Sequence, residues 1–162
     1  MYRILVHGGV LSFVASAFIA VTVVLNPRLW LQDYPQDIQD RVPPKTTREK
    51  RVSLIIGIPF LLLLLAVPFA STLTLKAQQG SAISFLRLAA NGFGVSFVFN
   101  LVDWLVLDWL VLCTITPRLV VIRGTEGAGG YRDYAFHFRG FLIGTVFSAV
   151  AGLAIAGITS LL

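Results

Sequence analysis

Four long runs of apolar residues divide the chain and predict four helices. Three of these runs, Ile4–Leu25, Val52–Leu75 and Gly140–Leu162, contain no charged residue. The fourth run, Ile83–Pro117, is longer and carries a few charges. A helix needs about 20 apolar residues to cross the hydrocarbon core of a bilayer, which is about 30 Å thick. Each run reaches this length, so the pattern predicts an all-α, integral membrane four-helix bundle that forms a single transmembrane domain over residues 1–162.

Proline, capping and small residues refine the helix boundaries. The first apolar run continues past the small residues Ala15–Ala17, so we expect a retained helix and not a cleaved signal peptide. Pro27 ends this helix because it lacks an amide hydrogen. Thr46 and Glu49 have the spacing of a capping box, which predicts that the second helix begins before the membrane. The predicted helices are about 4–25, 47–75, 83–116 and 136–162, with connections over 26–46 and 117–135.

Basic residues are distributed unequally between the two ends of the predicted bundle. With four helices, the first and third connections share one side, and ten of the thirteen Lys and Arg residues lie in or beside them: Arg28, Arg41, Lys45, Arg48, Lys50, Arg51, Arg118, Arg123, Arg132 and Arg139. The opposite side carries Arg3, Lys76 and Arg87. Because Lys and Arg are retained in cytoplasmic loops, the two long connections are predicted to be cytoplasmic and both termini to lie on the outer side. We expect a multi-pass protein of a cell membrane, with the bacterial inner membrane favoured.

Composition and charge support lipid surroundings. Hydrophobic residues make up 56% of the chain and charged residues 13%, whereas roughly 25% of residues are charged in soluble proteins. The net charge of +5 is therefore attributed to cytoplasmic Lys and Arg, and no nucleic-acid partner is expected. Arg48, Lys50 and Arg51 are placed to contact anionic lipid headgroups, although they also serve to fix the topology. Cys113 is the only cysteine, which excludes an internal disulfide.

Small residues have two predicted roles. The segment Gly124–Gly130 is predicted to be a flexible linker within the third connection.

Elsewhere, small residues recur at a spacing of four: Gly140, Gly144, Ser148, Gly152, Ala156 and Ser160 in the last helix, and Gly8, Ser12, Ser16 and Ala20 in the first. Residues four apart share a helix face, and small residues let helices approach closely in lipid. We expect the first and last helices to pack through these ridges, with each other or with a partner subunit.

The third predicted helix contains an internal repeat. The sequence Asp-Trp-Leu-Val-Leu occurs at 103–107 and again at 108–112. Residues five apart lie about 140° apart around an α-helix, so the two Asp-Trp pairs are predicted to occupy different faces. One of the aspartates would then face a partner protein or lipid headgroups. The segment from Leu88 to Thr116 would extend about 43 Å at 1.5 Å per residue, which exceeds the hydrocarbon core.

Polar residues of the third and fourth helices converge on the cytoplasmic end of the predicted bundle. The candidate site consists of Asn100, Asp103, Asp108, His137 and Arg139. A charged residue at bilayer depth costs on the order of 2.5–3.5 kcal/mol, so these residues need partners. A structural interpretation pairs one aspartate with Arg139 or Arg28 and lets Asn100 bond across helices. His7 lies at the opposite end and is not expected to take part.

Two functional interpretations of the same cluster remain open. The aspartates and the histidine could carry protons or ions, because such groups form relays in transporters. Alternatively, the cluster could catalyse a reaction at the membrane surface, with Asp as a base or His as an acid or base. A metal bound by Asp103, Asp108 and His137 suits the ligand types, but the predicted separation of the aspartates disfavours it.

The expected function is that of a non-enzymatic membrane protein. The small-residue ridges and the absence of familiar catalytic motifs favour an accessory or assembly subunit of a membrane complex. The alternatives are a small proton- or ion-coupled transporter or channel that uses Asp103 and Asp108, and a membrane-bound enzyme with its site at Asp103, Asp108 and His137. Expected partners are membrane lipids and either a second membrane subunit or another copy of the chain. The sequence specifies no cofactor.

Overall fold

The computed structural model describes residues 1–80 and 82–162, and four long apolar helices dominate it. In chain order the elements are α1 (Tyr2–Leu25), a 3₁₀ segment (Pro27–Asp33), α2 (Gln36–Gln39), α3 (Thr47–Gln79), α4 (Phe85–Val102), a π-helical segment (Asp103–Ile115), a 3₁₀ turn (Gly129–Arg132) and α5 (Tyr134–Leu161). The described residues contain no strand. The α4 helix runs directly into the π-helical segment, so α1, α3, this continuous helix and α5 are each long and apolar enough to cross a membrane.

The α3 helix begins at the predicted capping box. The Thr46 hydroxyl accepts a hydrogen bond from the Glu49 amide at 3.2 Å, and the Glu49 carboxylate accepts one from the Thr46 amide at 2.7 Å. The predicted start at Thr47 is confirmed. Arg28 Nε donates to Glu49 Oε1 at 2.7 Å and links the 3₁₀ segment after α1 to the start of α3. The expected pairing of Arg28 with an aspartate is therefore wrong, because the capping carboxylate occupies its guanidinium.

The α4 helix lies between the other long helices, and glycines bring its neighbours close to it. A Cβ atom added at Gly152 of α5 would lie 2.7 Å from the Phe93 amide nitrogen and 2.9 Å from the Ala89 carbonyl oxygen. A Cβ added at Gly8 of α1 would lie 2.6 Å from Val98 Cβ. Gly8 and Gly152, one member of each predicted ridge, thus pack on α4. The expectation that the two ridges pack on each other is wrong, because the third apolar helix lies between the first and the last.

The two long connections fold together into a compact unit, which we name the loop cap. Its buried cluster consists of Leu31, Tyr34, Ile38, Ile122, Ala128 and Tyr131. The Tyr34 hydroxyl donates to the Val120 carbonyl at 2.9 Å, and the Tyr131 hydroxyl accepts from the Ile122 amide at 2.8 Å. The prediction of a flexible linker at Gly124–Gly130 is wrong, because the apolar residues at its two ends bury themselves against the first connection.

Candidate functional site

The third apolar helix changes its winding at Asp103. From Asp103 to Ile115 it is a π-helix, in which each amide donates to the carbonyl five residues earlier; the Thr116 amide donates to the Val111 carbonyl at 2.9 Å in this way. Residues five apart in a π-helix are therefore neighbours along the axis, as residues four apart are in an α-helix. The five-residue repeat matches this winding, so Asp103 and Asp108 lie along one face.

The predicted separation of the two Asp-Trp pairs is accordingly wrong. Asp103 and Asp108 line the same cavity, and the ring centroids of Trp104 and Trp109 are 4.6 Å apart. An α-helix has 3.6 residues per turn, whereas the wider turn of the π-helix places equivalent residues of the two repeats nearly above one another. Because a π-helix also rises less per residue, the segment is shorter than the α-helical length suggested. Single turns of π-helix occur frequently at functional sites, and here the winding extends over the whole repeat.

A cavity of about 800 Å³ lies against the π-helical segment. The C-terminal turns of α1 form one flank, the first turns of α5 form the other, and the loop cap covers one end. Most of the lining is apolar, and seven aromatic side chains contribute to it: Trp30, Tyr34, Phe60, Phe99, Trp104, Phe136 and Phe141. Cavities of this size, with apolar and aromatic walls and a few convergent polar groups, are typical sites for small molecules.

All five residues of the predicted polar cluster line this cavity. His137 Nδ1 lies 3.1 Å from Asp108 Oδ1, and His137 is only 4% exposed. Its other ring nitrogen, Nε2, is buried and has no hydrogen-bond partner among the described residues. Arg139 lines the cavity but forms no ion pair within the described part of the chain. The expected aspartate–Arg139 pair is therefore replaced by an aspartate–histidine contact, and the Arg139 side chain lies on the exposed part of α5.

Asn100 connects α4 to α5. Its side-chain amide donates to the Phe141 carbonyl at 3.0 Å and to the Thr145 hydroxyl at 3.1 Å. The cross-helix bonding that the structural interpretation expected is present. Both amide hydrogens are used in these contacts, so Asn100 acts as a positioning residue that holds the cavity wall together.

Asp103 differs from the other two carboxylates of the cavity in lacking a protein partner among the described residues. It accepts no hydrogen bond and forms no ion pair with any residue in the described ranges, although it is partly buried. Asp108 in contrast is held by His137, and Asn100 by α5. An ionised carboxylate in apolar surroundings is costly without a counter-charge or donor. Asp103 is therefore the group in the cavity that is best placed to meet a ligand.

Asp33 is a third carboxylate at the cavity, and sequence reasoning missed it. It ends the 3₁₀ segment after α1 and accepts a hydrogen bond from the neighbouring Gln32 at 2.8 Å. Burial by the surrounding protein raises the pKa of Asp33, while the positive charge of Lys45 opposes that shift. Part of the side chain remains exposed, so the desolvation is incomplete. The only sequence signal was the proline-started turn, which folds the first connection back over the cavity.

A second polar network lies at the opposite end of the bundle. His7 Nδ1 and the Ser71 hydroxyl are 2.7 Å apart, and the Asn91 amide donates to Ser71 and to Thr72 at 3.1 Å each. These contacts join α1, α3 and α4. His7 is separate from the cavity, as the sequence indicated. The contact with Ser71 satisfies the ring nitrogen Nδ1 of His7, so this nitrogen needs no ligand.

The remaining candidate residues are placed as follows. Arg48, Lys50 and Arg51 are exposed on the first turns of α3, where their contact with lipid headgroups stays a prediction. Among the described residues, no group of three or more His, Cys, Asp or Glu side chains is arranged to hold a metal ion. Cys113 is buried in the π-helical segment.

Comparison with known proteins identifies no relative. No protein-family model, no curated protein and no solved structure matches the chain.

Proposed function

We propose that the chain is a non-enzymatic, multi-pass membrane protein that binds an amphipathic molecule in the cavity beside the π-helical segment. Both termini lie on the outer side, and the loop cap and the polar end of the cavity lie at the cytoplasmic face. The membrane is the bacterial inner membrane. The observation that carries the ligand-binding role is the large, mainly apolar cavity with polar groups gathered at one end.

Exposed apolar side chains support insertion into a bilayer. Phe13 of α1, Leu61 of α3 and Phe147 of α5 are 77%, 57% and 69% exposed, and many other large apolar residues on the long helices are similarly exposed. Soluble monomers rarely expose contiguous apolar patches of such extent. Lipid would cover these faces, and the ten basic residues near the loop cap support its cytoplasmic location.

The packing of the small residues weakens the argument for a partner subunit. The ridges of α1 and α5 were the main sequence argument for a partner subunit. In the structure Gly8 and Gly152 are used for contacts with α4, so these residues do not offer a free interface. A ligand-binding role accounts for the cavity and for its polar end, whereas a purely structural subunit needs neither.

Reporter enzymes placed at the C-terminus and in the loop cap test the proposed orientation. Alkaline phosphatase fused after Leu162 should be active in bacterial cells, because this enzyme folds only outside the cytoplasm. The same enzyme inserted at Gly127 in the loop cap should be inactive, since ten basic residues hold that side in the cytoplasm. A fluorescent protein at the two sites should give the opposite pattern. The reverse result at both sites would disprove the orientation.

A side chain added at Gly140 should block the cavity. Gly140 lines it, and a Cβ atom there meets no atom within 4 Å, so a leucine can extend into the open space. In the purified protein, a neutral amphiphile with a brominated alkyl chain should quench the fluorescence of Trp30 and Trp104, which both line the cavity. This quenching should be saturable. We expect Gly140→Leu to lower the affinity that it measures by about tenfold or more, which corresponds to a loss on the order of 1.4 kcal/mol of binding free energy.

Gly57→Leu is the matched control for this experiment. Gly57 is a helical glycine with no atom within 4 Å of an added Cβ, but it does not line the cavity. This variant should keep the quenching of the unaltered protein. Equal quenching in all three proteins would show that the cavity is not the binding site and would overturn the proposed function.

A further inference from the structure

We infer that the ligand of the cavity is an amphipathic organic cation, whose ammonium group lies against the carboxylate of Asp103 and whose apolar chain lies between α1 and α5. This inference rests on the proposed function, because it assumes that the cavity binds an amphipathic molecule. It adds the charge of the ligand and the direction in which the ligand lies.

The charges around the cavity favour a cation. Three carboxylates, those of Asp33, Asp103 and Asp108, line its polar end. Asp108 contacts His137, and Asp33 accepts a hydrogen bond from Gln32, but Asp103 has no partner among the described residues. An ammonium group would supply the missing counter-charge, which an anionic or neutral head cannot do.

Arg139 is the guanidinium that lines the cavity, and its position does not reverse this balance. It lies on an exposed part of α5, next to Gly140 at the flank and away from the buried His137. An exposed guanidinium is solvated and screened, whereas a charge on a partly buried group is screened much less. The partly buried carboxylates of Asp103 and Asp108 therefore contribute more to the field in the cavity than the exposed Arg139 does.

The aromatic lining favours an organic ammonium over a metal ion. Trp30, Trp104 and Phe136 are among the aromatic side chains that line the cavity. Aromatic rings attract ammonium groups through their negative faces, most strongly where water is excluded. A metal ion would instead need several oxygen or nitrogen ligands, and no suitable group of three occurs in the described part of the chain.

The shape of the cavity requires an apolar chain behind the ammonium group. The volume of about 800 Å³ far exceeds that of a small cation, and most of its walls are apolar. The side toward α1 and α5 is lined by Ala20 and Gly140, whose small size leaves room between the two flanks. An alkyl chain in this space would bury apolar surface, which favours binding.

Head-group selectivity tests the inference directly. Three amphiphiles share the same brominated alkyl chain and carry a primary ammonium, a neutral glucoside or a sulfate head. Quenching of the tryptophan fluorescence should be saturable for the compounds that bind. The affinity should be highest for the ammonium compound, roughly tenfold to a hundredfold above that of the neutral one, as expected for a hydrogen bond to a charged group. Equal affinity for the ammonium and neutral heads, or a preference for sulfate, would overturn the inference.

Substitution of Asp103 tests the assigned contact. Asp103→Asn should reduce binding of the ammonium compound to the level of the neutral one, while leaving binding of the neutral compound unchanged. Asp103→Glu keeps the charge and should retain most of the selectivity, and Asp40→Asn removes an exposed carboxylate of the first connection and should change nothing. If Asp103 instead carries its own proton, the asparagine variant will bind like the unaltered protein, which would also overturn the inference.

Two further comparisons separate the remaining outcomes. If head-group selectivity is absent but Gly140→Leu still blocks quenching, the cation inference fails and the proposed ligand-binding role survives. If Gly140→Leu has no effect, the proposed function itself fails. Brominated phosphatidylethanolamine in nanodiscs distinguishes the source of the ammonium: quenching that depends on Asp103 in this lipid indicates a membrane aminolipid, and quenching confined to the soluble amphiphile indicates a free cation.

Discussion

Replacing Gly152 with alanine is expected to destabilise the protein by about 1–3 kcal/mol, the usual cost of overpacking a well-packed interior. The new Cβ atom would lie 2.7 Å from the Phe93 amide nitrogen and 2.9 Å from the Ala89 carbonyl oxygen. Both of these atoms belong to the backbone of α4 and cannot rotate away. The α4 and α5 helices must therefore separate locally, which loosens the packing on both sides of the contact.

The thermal unfolding midpoint of the protein in detergent, followed by circular dichroism, measures this effect. Gly157→Ala is the matched control, because Gly157 is also inside α5 and a Cβ atom there meets nothing within 4 Å. Alanine is a better helix former than glycine, so the control should be unchanged or slightly stabilised. Equal midpoints for the two variants would mean that α4 and α5 are not in the close contact described.

Replacing Tyr131 with phenylalanine is expected to destabilise the loop cap by about 1–3 kcal/mol, the cost of leaving a buried polar group without its partner. The Tyr131 hydroxyl accepts from the Ile122 amide at 2.8 Å and lies 2.7 Å from the Thr125 hydroxyl. All three residues are at most 3% exposed, so water cannot replace the lost oxygen without opening the cap. The connection that was predicted to be a flexible linker should then become accessible.

Limited trypsin digestion measures this opening at Arg123, which lies within the cap sequence. Cleavage should be faster in Tyr131→Phe than in the unaltered protein. Tyr134→Phe is the control: its hydroxyl lies 3.0 Å from the Thr114 hydroxyl on an exposed surface, and losing it should change stability by no more than about 0.5 kcal/mol. Rapid cleavage in both variants, or in the unaltered protein, would show that the cap is not a folded unit.

The π-helical segment connects the sequence repeat to the proposed ligand site. An α-helix through Asp103–Ile115 would have turned one aspartate away from the cavity. The π-winding directs Asp103 and Asp108 to the same cavity and places Trp104 beside Trp109. The five-residue repeat is thus the sequence counterpart of a cavity wall that presents two carboxylates.

Much of the architecture follows from the sequence because it depends on local signals. The four apolar runs predict the long helices, since helix length and hydropathy are properties of single segments. The capping box at Thr46 and Glu49 could be predicted for the same reason, because the two residues lie within one helical turn of each other. The polar cluster could also be proposed, because counting four helices places the ends of the third and fourth on one side. Membrane insertion and orientation stay predictions of this kind.

The tertiary structure decided what depends on contacts between distant segments. The winding at Asp103 was not predictable from an α-helical wheel, because the hydrogen bonds of a π-helix form only where packing stabilises its wider turn. Asp33 joins the cavity because the first connection folds back, and the loop cap forms because Ile38 and Tyr131 meet across more than ninety residues. The sequence by itself thus determined four apolar helices and their polar end. Only the packing of those helices decided that the polar end borders a cavity and that Asp103 faces it without a protein partner.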